Sequence, residues 1–590
     1  MSESKKSSSV SSPPTGDDAP RYTGGQEHPQ GAWAKLKSTV DLWIAIPALL
    51  FIVGIATWAI GLPEPFEEAS TAAFEFLVTN FGWLFIIMAT VFFAVMIALA
   101  FSRYGHIKLG RDDELPEFST PSWIAMMFAA GMGIGLLFYG GYEPLSHYRD
   151  GVPGHPPEDT GTAFAQTLLH FGPIAWATYA VVGVSIAYTT FRLGRPQLIS
   201  AACAPLIGVR RAEGPIGKLI DILAIFATVF STAMSLGLGA SQIAAGAASI
   251  GAIKEATVGV MLVIIGLLSV GYLVSAMSGV ARGVQWVSNF NMATAAMLSI
   301  FILIFGPTIF ILNTIPLSIG DFISQLPEML GRSASSSDPG VADWMAGWTI
   351  FYWVWWIAWT PFVGMFLARI SRGRTIREFV VGIVVVPSSL IVLWFAIFGG
   401  TAIHFEQTDR SIWGDGRPEA MLFELLGNLP WPGIISAFTI MLLATFFITT
   451  ADSASTVMGS MSQRGRVNPT PIVTGIWGLM TTLIAVALLL TGGEEILTPL
   501  QRIIIVSGSP FMIVVVIMML ALIKGVQQDP TYQAEREARR SYLRLVRENK
   551  MMEVGPPLMD KPVGFKPGVG PEKPKTPRKA KRKKDPEAES

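Results

Sequence analysis

The sequence predicts an all-α polytopic membrane protein with twelve transmembrane helices. Three observations predict it. Of the 590 residues, 51% are hydrophobic and only 15% are charged, against about 25% charged in a soluble domain. Apolar stretches of about 20 residues, the length that crosses the hydrocarbon core of a bilayer, recur about twelve times. The basic residues between those stretches fall in alternate loops.

The stretches lie near 42–62, 79–102, 121–141, 171–191, 217–248, 256–278, 285–312, 343–368, 378–403, 432–459, 471–492 and 500–524. Lys and Arg collect on the cytoplasmic side of a membrane. Numbering each loop by the span it follows, the first has Glu64, Glu67 and Glu68 and no basic residue. The second has Arg103, Lys108 and Arg111, the fourth Arg192, Arg195, Arg210 and Arg211, and the sixth Arg282. The eighth has Arg369, Arg372, Arg374 and Arg377, and the tenth Arg464 and Arg466. Odd loops are mixed or acidic, as with Glu494 and Glu495. One miscounted span would scramble everything after it. The alternation persists, so the count is even and both ends are expected in the cytoplasm.

Cys203 is the single cysteine, so no intrachain disulfide forms. No zinc-ligand spacing and no nucleophile elbow occur. Residues 1–30 are polar and rich in Ser, Pro and Gly, which argues against a cleaved signal peptide.

Substrate and ion sites form where membrane helices break, because freed backbone groups can bind solute. The third span carries Ala129-Ala130-Gly131-Met132-Gly133-Ile134-Gly135. Three glycines at alternate positions weaken a helix and admit close approach of the backbone; small-residue helix packing would use the same pattern. The eighth span carries Trp353, Trp355, Trp356 and Trp359, then Pro361 and Phe362. At about 100° per residue, Trp355, Trp359 and Phe362 share a face and Trp356 flanks it. The fourth span opens with His170-Phe171-Gly172-Pro173 and continues to Trp176 and Tyr179, an i, i+3 pair. One aromatic stripe is ordinarily core packing. Two stripes beside a glycine-broken helix, with no charge nearby, suit a cage for a quaternary ammonium group, which indole faces attract by roughly 2 kcal/mol when desolvated.

Oxygen ligands for a hard cation such as Na⁺ come from two further spans. In the fifth, Thr228, Thr232 and Ser235 share a helical face. In the tenth, Thr449-Thr450-Ala451-Asp452-Ser453-Ala454-Ser455 is polar within an apolar helix. Intramembrane hydroxyls often bond only their own i−4 carbonyl. Asp452 is a functional candidate because an ionisable group within a span is expensive; near the span's end it would only stabilise a turn. An intramembrane enzyme would want a His/Asp metal cluster or an activated nucleophile, and His170 and Asp452 are read as lacking such partners.

These residues resemble the betaine/carnitine/choline transporter family. The resemblance runs from about Trp43 to Lys524. It is carried by Gly131 to Gly140 with Glu143-Pro144, by Trp353 to Phe366, by Ala368-Arg369-Ile370-Ser371-Arg372-Gly373-Arg374, and by Thr449 to Thr456. Within the family the chain looks most like the osmoregulated, sodium-coupled glycine betaine carriers of actinobacteria. The resemblance implies a leucine-transporter-like inverted repeat, five helices plus five after two leading helices, in a bacterial cell membrane and assembled as a homotrimer. It assigns Trp355, Trp356, Trp359, Trp176 and Tyr179 to the substrate box, with Phe171 on the same wall and the stretch Gly131, Met132, Gly133 and Gly135 facing the carboxylate. It assigns Ala129, Ala130, Met132, Phe446, Thr449 and Thr450 to one Na⁺ site, and Thr228, Thr232 and Phe362 to a second. Choline carriers of the family have an acid at the Gly135 position, so glycine favours a zwitterion. Betaine carriers have tryptophan where this chain has Phe171, and Gly172 to Ala175 also differ, which could admit ectoine or proline. Thr450 stands where serine is usual and keeps the hydroxyl.

The implied activity is therefore sodium-coupled uptake of glycine betaine, with ectoine, proline or another zwitterion as the alternative substrate. A sodium-independent antiporter of the family would replace the site hydroxyls with basic or thioether side chains. A channel would show a repeated pore ring. No nucleic-acid partner is expected. The domain reading is a disordered cytoplasmic tail at 1–40, the twelve-helix transporter domain at 41–525, and a basic cytoplasmic tail at 526–590 with a helix near 530–550. Asp529 caps that helix and Pro530 opens it. Arg536, Arg539, Arg540, Arg544, Arg547 and Lys550 make it basic, and Pro577 to Lys584 forms a further cluster. Such segments bind anionic lipid at about 1 kcal/mol per basic residue, or serve topology alone. The resemblance implies a stress-sensing role for this tail.

Overall fold

The computed structural model describes residues 39–547 except 132, 279–280, 336–339, 409, 411, 415 and 493–496. The expected N-terminal tail, the sixth-loop Arg282 side chain, Glu494, Glu495 and everything beyond 547 lie outside the described residues, the two residues 39–40 apart. The chain is all-α. The helices are α1 (Leu42–Gly61), α2 (Pro63–Phe101), α3 (Thr120–Gly131), α4 (Ile134–Asp150), α5 (Thr160–Phe171), α6 (Pro173–Ala187), α7 (Pro215–Ser249), α8 (Val258–Ser278) and α9 (Ala281–Phe305). They continue as α10 (Thr308–Gly331), α11 (Phe351–Ile370), α12 (Ile376–Gln407), α13 (Pro418–Gly427), α14 (Pro432–Ser462), α15 (Pro471–Gly492), α16 (Leu497–Gln527) and α17 (Pro530–Arg547).

Among the described residues, twelve helices are long and apolar enough to cross a membrane. One of these twelve, α10, does not cross. Its first turns meet the far end of α12, where the Phe310 and His404 rings lie 5.1 Å apart. Its last turn meets the third loop, where Glu328 lies 3.0 Å from His155. Both contacts are on the odd-loop face, so α10 lies along that face. Gly306 and Pro307 end α9 and turn the chain, which corrects the expected span at 285–312. The crossing that replaces α10 in the count is the third span, made of two half-helices, α3 and α4, and so too interrupted to pass as one helix.

The loops sort onto two faces. Leu109 of the second loop donates to Arg374 O of the eighth (2.8 Å), and Gly373 returns a bond to Leu109 O (2.8 Å). Arg192 of the fourth reaches Gly110 O at 3.0 Å. Asp41 at the N-terminal end donates its N–H to Ser462 O at the tenth loop (2.9 Å). Odd loops meet one another instead: Arg149 pairs with Glu406, and Arg502 lies 3.9 Å from Glu67. The third span therefore runs from the even face to the odd face, and the eighth runs back. These are the leading helices of the two five-helix repeats, and they cross in opposite directions as an inverted repeat requires.

Two boundaries differ from expectation. The second span is the end of a 39-residue helix, because Pro63 starts α2 at its first turn and nothing breaks it before Ser102. The fourth span starts at Thr160, not near 171. Asp159 caps it by accepting from Gly161 N (3.0 Å) and Thr162 N (3.2 Å). His170 and Phe171 consequently lie inside the crossing rather than at its mouth. Cys203 is buried and free.

Candidate functional site

The site starts at two helix breaks. α3 stops at Gly131 and α4 begins at Ile134, with Gly133 extended as its N-cap and no side chain capping it. The first N–H groups of α4 thus keep a partial positive charge with no side-chain acceptor. In the fourth span the break is Gly172-Pro173. Proline removes an N–H donor and kinks the helix. Beside that kink the His170 carbonyl accepts the Trp356 indole N–H at 2.7 Å. The eighth span enters through a π turn at Ala346–Ile350, a device common at functional sites.

A cavity of about 1280 Å³ lies against both breaks. Trp355 and Trp356 stack with centroids 5.0 Å apart and planes 13° apart. Tyr179 meets both Trp356, at 6.1 Å, and Trp176, at 5.6 Å, edge-on. Trp359 meets Phe362 at 5.5 Å. The Nε1 groups of Trp355 and Trp359 are buried with no hydrogen-bond partner among the described residues. Phe171 is buried between Tyr352 (5.0 Å), Trp356 (5.3 Å) and Phe395 (4.9 Å). The lining continues to Phe118, Arg369 and Asn468 at the even loops. The cavity opens to that face, while the packed rings of Phe171, Tyr139 and Tyr352 separate it from the odd face.

Gly133, Gly135, Phe171, Trp176, Tyr179, Trp355, Trp356, Trp359, Phe362, Phe446, Thr449 and Thr450 all line this one cavity. A Cβ on Gly135 would stand 2.8 Å from Trp355 Cη2, so glycine is what lets the indole pack on the broken helix. Met132 lies outside the described residues. Ala129, Ala130 and Gly131 are the last residues of α3, and their side chains lie outside the description. Thr228 and Thr232 are buried on α7 behind α11 rather than on the cavity wall; between them Ser231 reaches Ala358 O at 3.3 Å. Thr228 bonds its own i−4 carbonyl, Ala224 O, at 2.8 Å. Thr232 differs, because its hydroxyl is buried with no partner. Thr449 donates to Thr445 O at 3.0 Å and accepts from Asn291 Nδ2 at 3.1 Å. Asp452 lines the cavity and accepts from Ser275 at 2.8 Å.

Two sequence expectations are corrected. The box is not remote from every charge: the buried Glu143 carboxylate accepts from the Tyr352 hydroxyl, and the Tyr352 ring lies parallel to Trp356 at 5.9 Å. His170 does not lack metal-binding partners either. Its Nδ1 lies 2.7 Å from Glu143 Oε1, and His147 adjoins the same oxygen. The available signal was three ionisable side chains within two neighbouring spans. Tyr352, Phe395 and Asn291 were also missed, because nothing in their spacing separates them from core.

The regulatory candidates lie on α17. Arg536 and Arg540 are exposed, and the Arg539, Arg544 and Arg547 side chains lie outside the description. The helix is joined to the even face just before it starts. Asp529 accepts two bonds from Arg192, both 3.0 Å, and one from the Tyr188 hydroxyl at 3.1 Å. Tyr532 packs on Tyr104 at 4.7 Å. Burial, and then the Tyr532 hydroxyl, push the Tyr104 phenol up to about 12.

Comparison with known proteins decides the family. The model of the betaine/carnitine/choline family transporters matches residues 43–531. The chain belongs to this family. Among betaine/carnitine/choline transporters it is 44% identical over 499 residues to the betaine/ectoine transporter LcoP of Corynebacterium glutamicum, covering 84% of this chain and 79% of that one. It is 42% identical to the glycine betaine transporter OpuD of Bacillus subtilis, covering 82% and 94% of the two chains. It is 38% identical to the ectoine/hydroxyectoine transporter of Virgibacillus pantothenticus, covering 80% and 92%. The protein is therefore a multi-pass membrane transporter and not an enzyme.

Replacing Gly135 by alanine is expected to push Trp355 out of its stack. Tryptophan fluorescence of the purified variant should shift while its helical circular dichroism stays unchanged. An unshifted spectrum would mean the glycine does not control the indole.

Proposed function

We propose that this transporter takes up glycine betaine, coupled to Na⁺. The observation that carries the reading is the pair of stacked indoles beside an uncapped half-helix. The indole faces attract a trimethylammonium group. The α4 N-terminus suits the carboxylate at the other end. Glu143 is held behind Tyr352, so the lining of the box leaves a zwitterion to balance itself. By the positive-inside rule the even face is cytoplasmic, both ends of the chain are inside, and the cavity described above faces inward. Ectoine is the second reading. It is favoured by Phe171, a smaller ring than the tryptophan of betaine carriers, and by relatives whose names include ectoine.

Sodium would act through differential affinity for the outward-open and inward-open states. The unpartnered Thr232 hydroxyl supports an ion site there, with Thr449 and Thr450 as the second. Leaving a buried hydroxyl unbonded costs about 1–3 kcal/mol, and valine of the same shape removes that cost. Uptake of labelled betaine, ectoine, proline and choline into proteoliposomes should require an inward Na⁺ gradient and favour betaine. Thr232→Val should raise the half-saturating Na⁺ concentration about tenfold or more, a loss of roughly 1.4 kcal/mol, without lowering the melting temperature. Sodium-independent uptake would sink the symport reading. A preference for ectoine would leave the fold and family intact and move the substrate assignment to the second reading.

The join between α17 and Arg192 supports an osmotic role for the C-terminal segment, with its basic face set against anionic lipid. Truncation after Gly525 removes Asp529 and should leave uptake active but insensitive to osmolality. Undiminished activation in that variant would rule the role out.

A further inference from the structure

Three side chains that could hold a metal meet on the odd-face side of the aromatic box, and the transport reading gives them no ligand. Glu143 and His147 stand one turn apart on α4 and share a helical face. His170 reaches them from α5. Glu143 Oε1 lies 2.7 Å from His170 Nδ1 and 3.4 Å from His147 Nε2, and the three ligand atoms all lie within 4.8 Å of one another. All three residues are buried, none more than 3% exposed.

We propose that Glu143, His147 and His170 form a binding site for a divalent cation of the zinc class. The donor set is the first reason. Two imidazoles and one carboxylate are the ligands of open zinc sites, which keep a fourth position for an exchangeable ligand. Spacing is the second. Ligands 2.0–2.1 Å from a tetrahedral ion stand roughly 3.3 Å from one another. The His147–Glu143 separation of 3.4 Å already matches, and His170 needs to withdraw by about half an ångström.

The third reason is His147 itself. Its Nε2 is buried and has no hydrogen-bond partner, since its approach to the carboxylate lacks the geometry of a bond. A buried orphan nitrogen is destabilising unless something coordinates it. The fourth is the surrounding shell. His170 Nε2 lies 3.1 Å from Thr349 Oγ1, and the Tyr352 hydroxyl holds the other carboxylate oxygen. Such outer partners orient metal-bound imidazoles. On binding, the His170 proton moves from Nδ1 to Nε2, whose N–H donates to Thr349 Oγ1, and the Gln166 amide, whose Nε2 donates to that nitrogen at 3.0 Å, turns away. The Arg332 guanidinium at the rim is already engaged, by Gln166 Oε1 at 2.8 Å and by Glu328 at 3.3 Å.

An ion here ties α4 to α5 and, through Tyr352, to α11. Those helices carry the odd-face wall of the box. The Trp348 and Trp344 rings cover His147 at 4.6 and 5.7 Å, so the ion exchanges when that face opens.

The test is overnight equilibration of the purified full-length protein with Zn²⁺ in Na⁺ buffer, then desalting, metal analysis and zinc-edge X-ray absorption. The expected result is one zinc per chain with two imidazole ligands and an oxygen. His147→Asn should weaken zinc affinity about tenfold or more. If that variant fails to fold, the wild-type absorption spectrum decides alone. Zinc content no higher than in His147→Asn, or a bound zinc without two imidazoles, overturns the proposal.

Discussion

A helix that stops inside a bilayer leaves backbone donors and acceptors with no water to satisfy them, and each unsatisfied group costs several kcal/mol. The rest of this structure depends on that constraint at the gap between Gly131 and Ile134. The break is tolerable only where other protein surrounds it or a cavity receives it. Here both hold. α4 is buried along most of its length, and its first residues line the cavity. The same constraint explains why the box aromatics gather where they do. Trp355 packs against Gly135, and Trp356 takes the carbonyl beside the second break, at Gly172-Pro173.

The charge arrangement follows from the same economy. The buried carboxyl group of Glu143 is set one layer back from the box and occupied by Tyr352 and His170. The cavity wall around the indoles is therefore left with aromatic rings and a half-helix N-terminus. Farther toward the even face the wall turns polar, with Thr449, Asp452 and Arg369. The gradient from aromatic to polar runs from the box to the mouth of the cavity at the even face.

Much of this was legible in the sequence. Spans are legible because the bilayer demands about 20 apolar residues from each, and loop charge alternation checks the count. The tryptophans of the eighth span and the Trp176–Tyr179 pair were legible because aromatic residues at helical spacing point one way. What was not legible depends on contacts between helices. α10 has the length and apolarity of a span, and only its contacts with His404 and His155 show that it lies along one face. Glu143 and His170 are 27 positions apart, and only the packing of α4 on α5 joins them. Thr228 and Thr232 look alike in sequence, yet one bonds its own helix and the other bonds nothing.

The central claim is that the box recognises a positive charge by its ring faces, not merely a bulky shape. Binding to the purified protein should be compared between glycine betaine and 3,3-dimethylbutanoate, which replaces the ammonium nitrogen by carbon. A cation–π contribution of about 2 kcal/mol predicts roughly thirtyfold tighter binding of betaine. Equal affinity for the two would contradict the account.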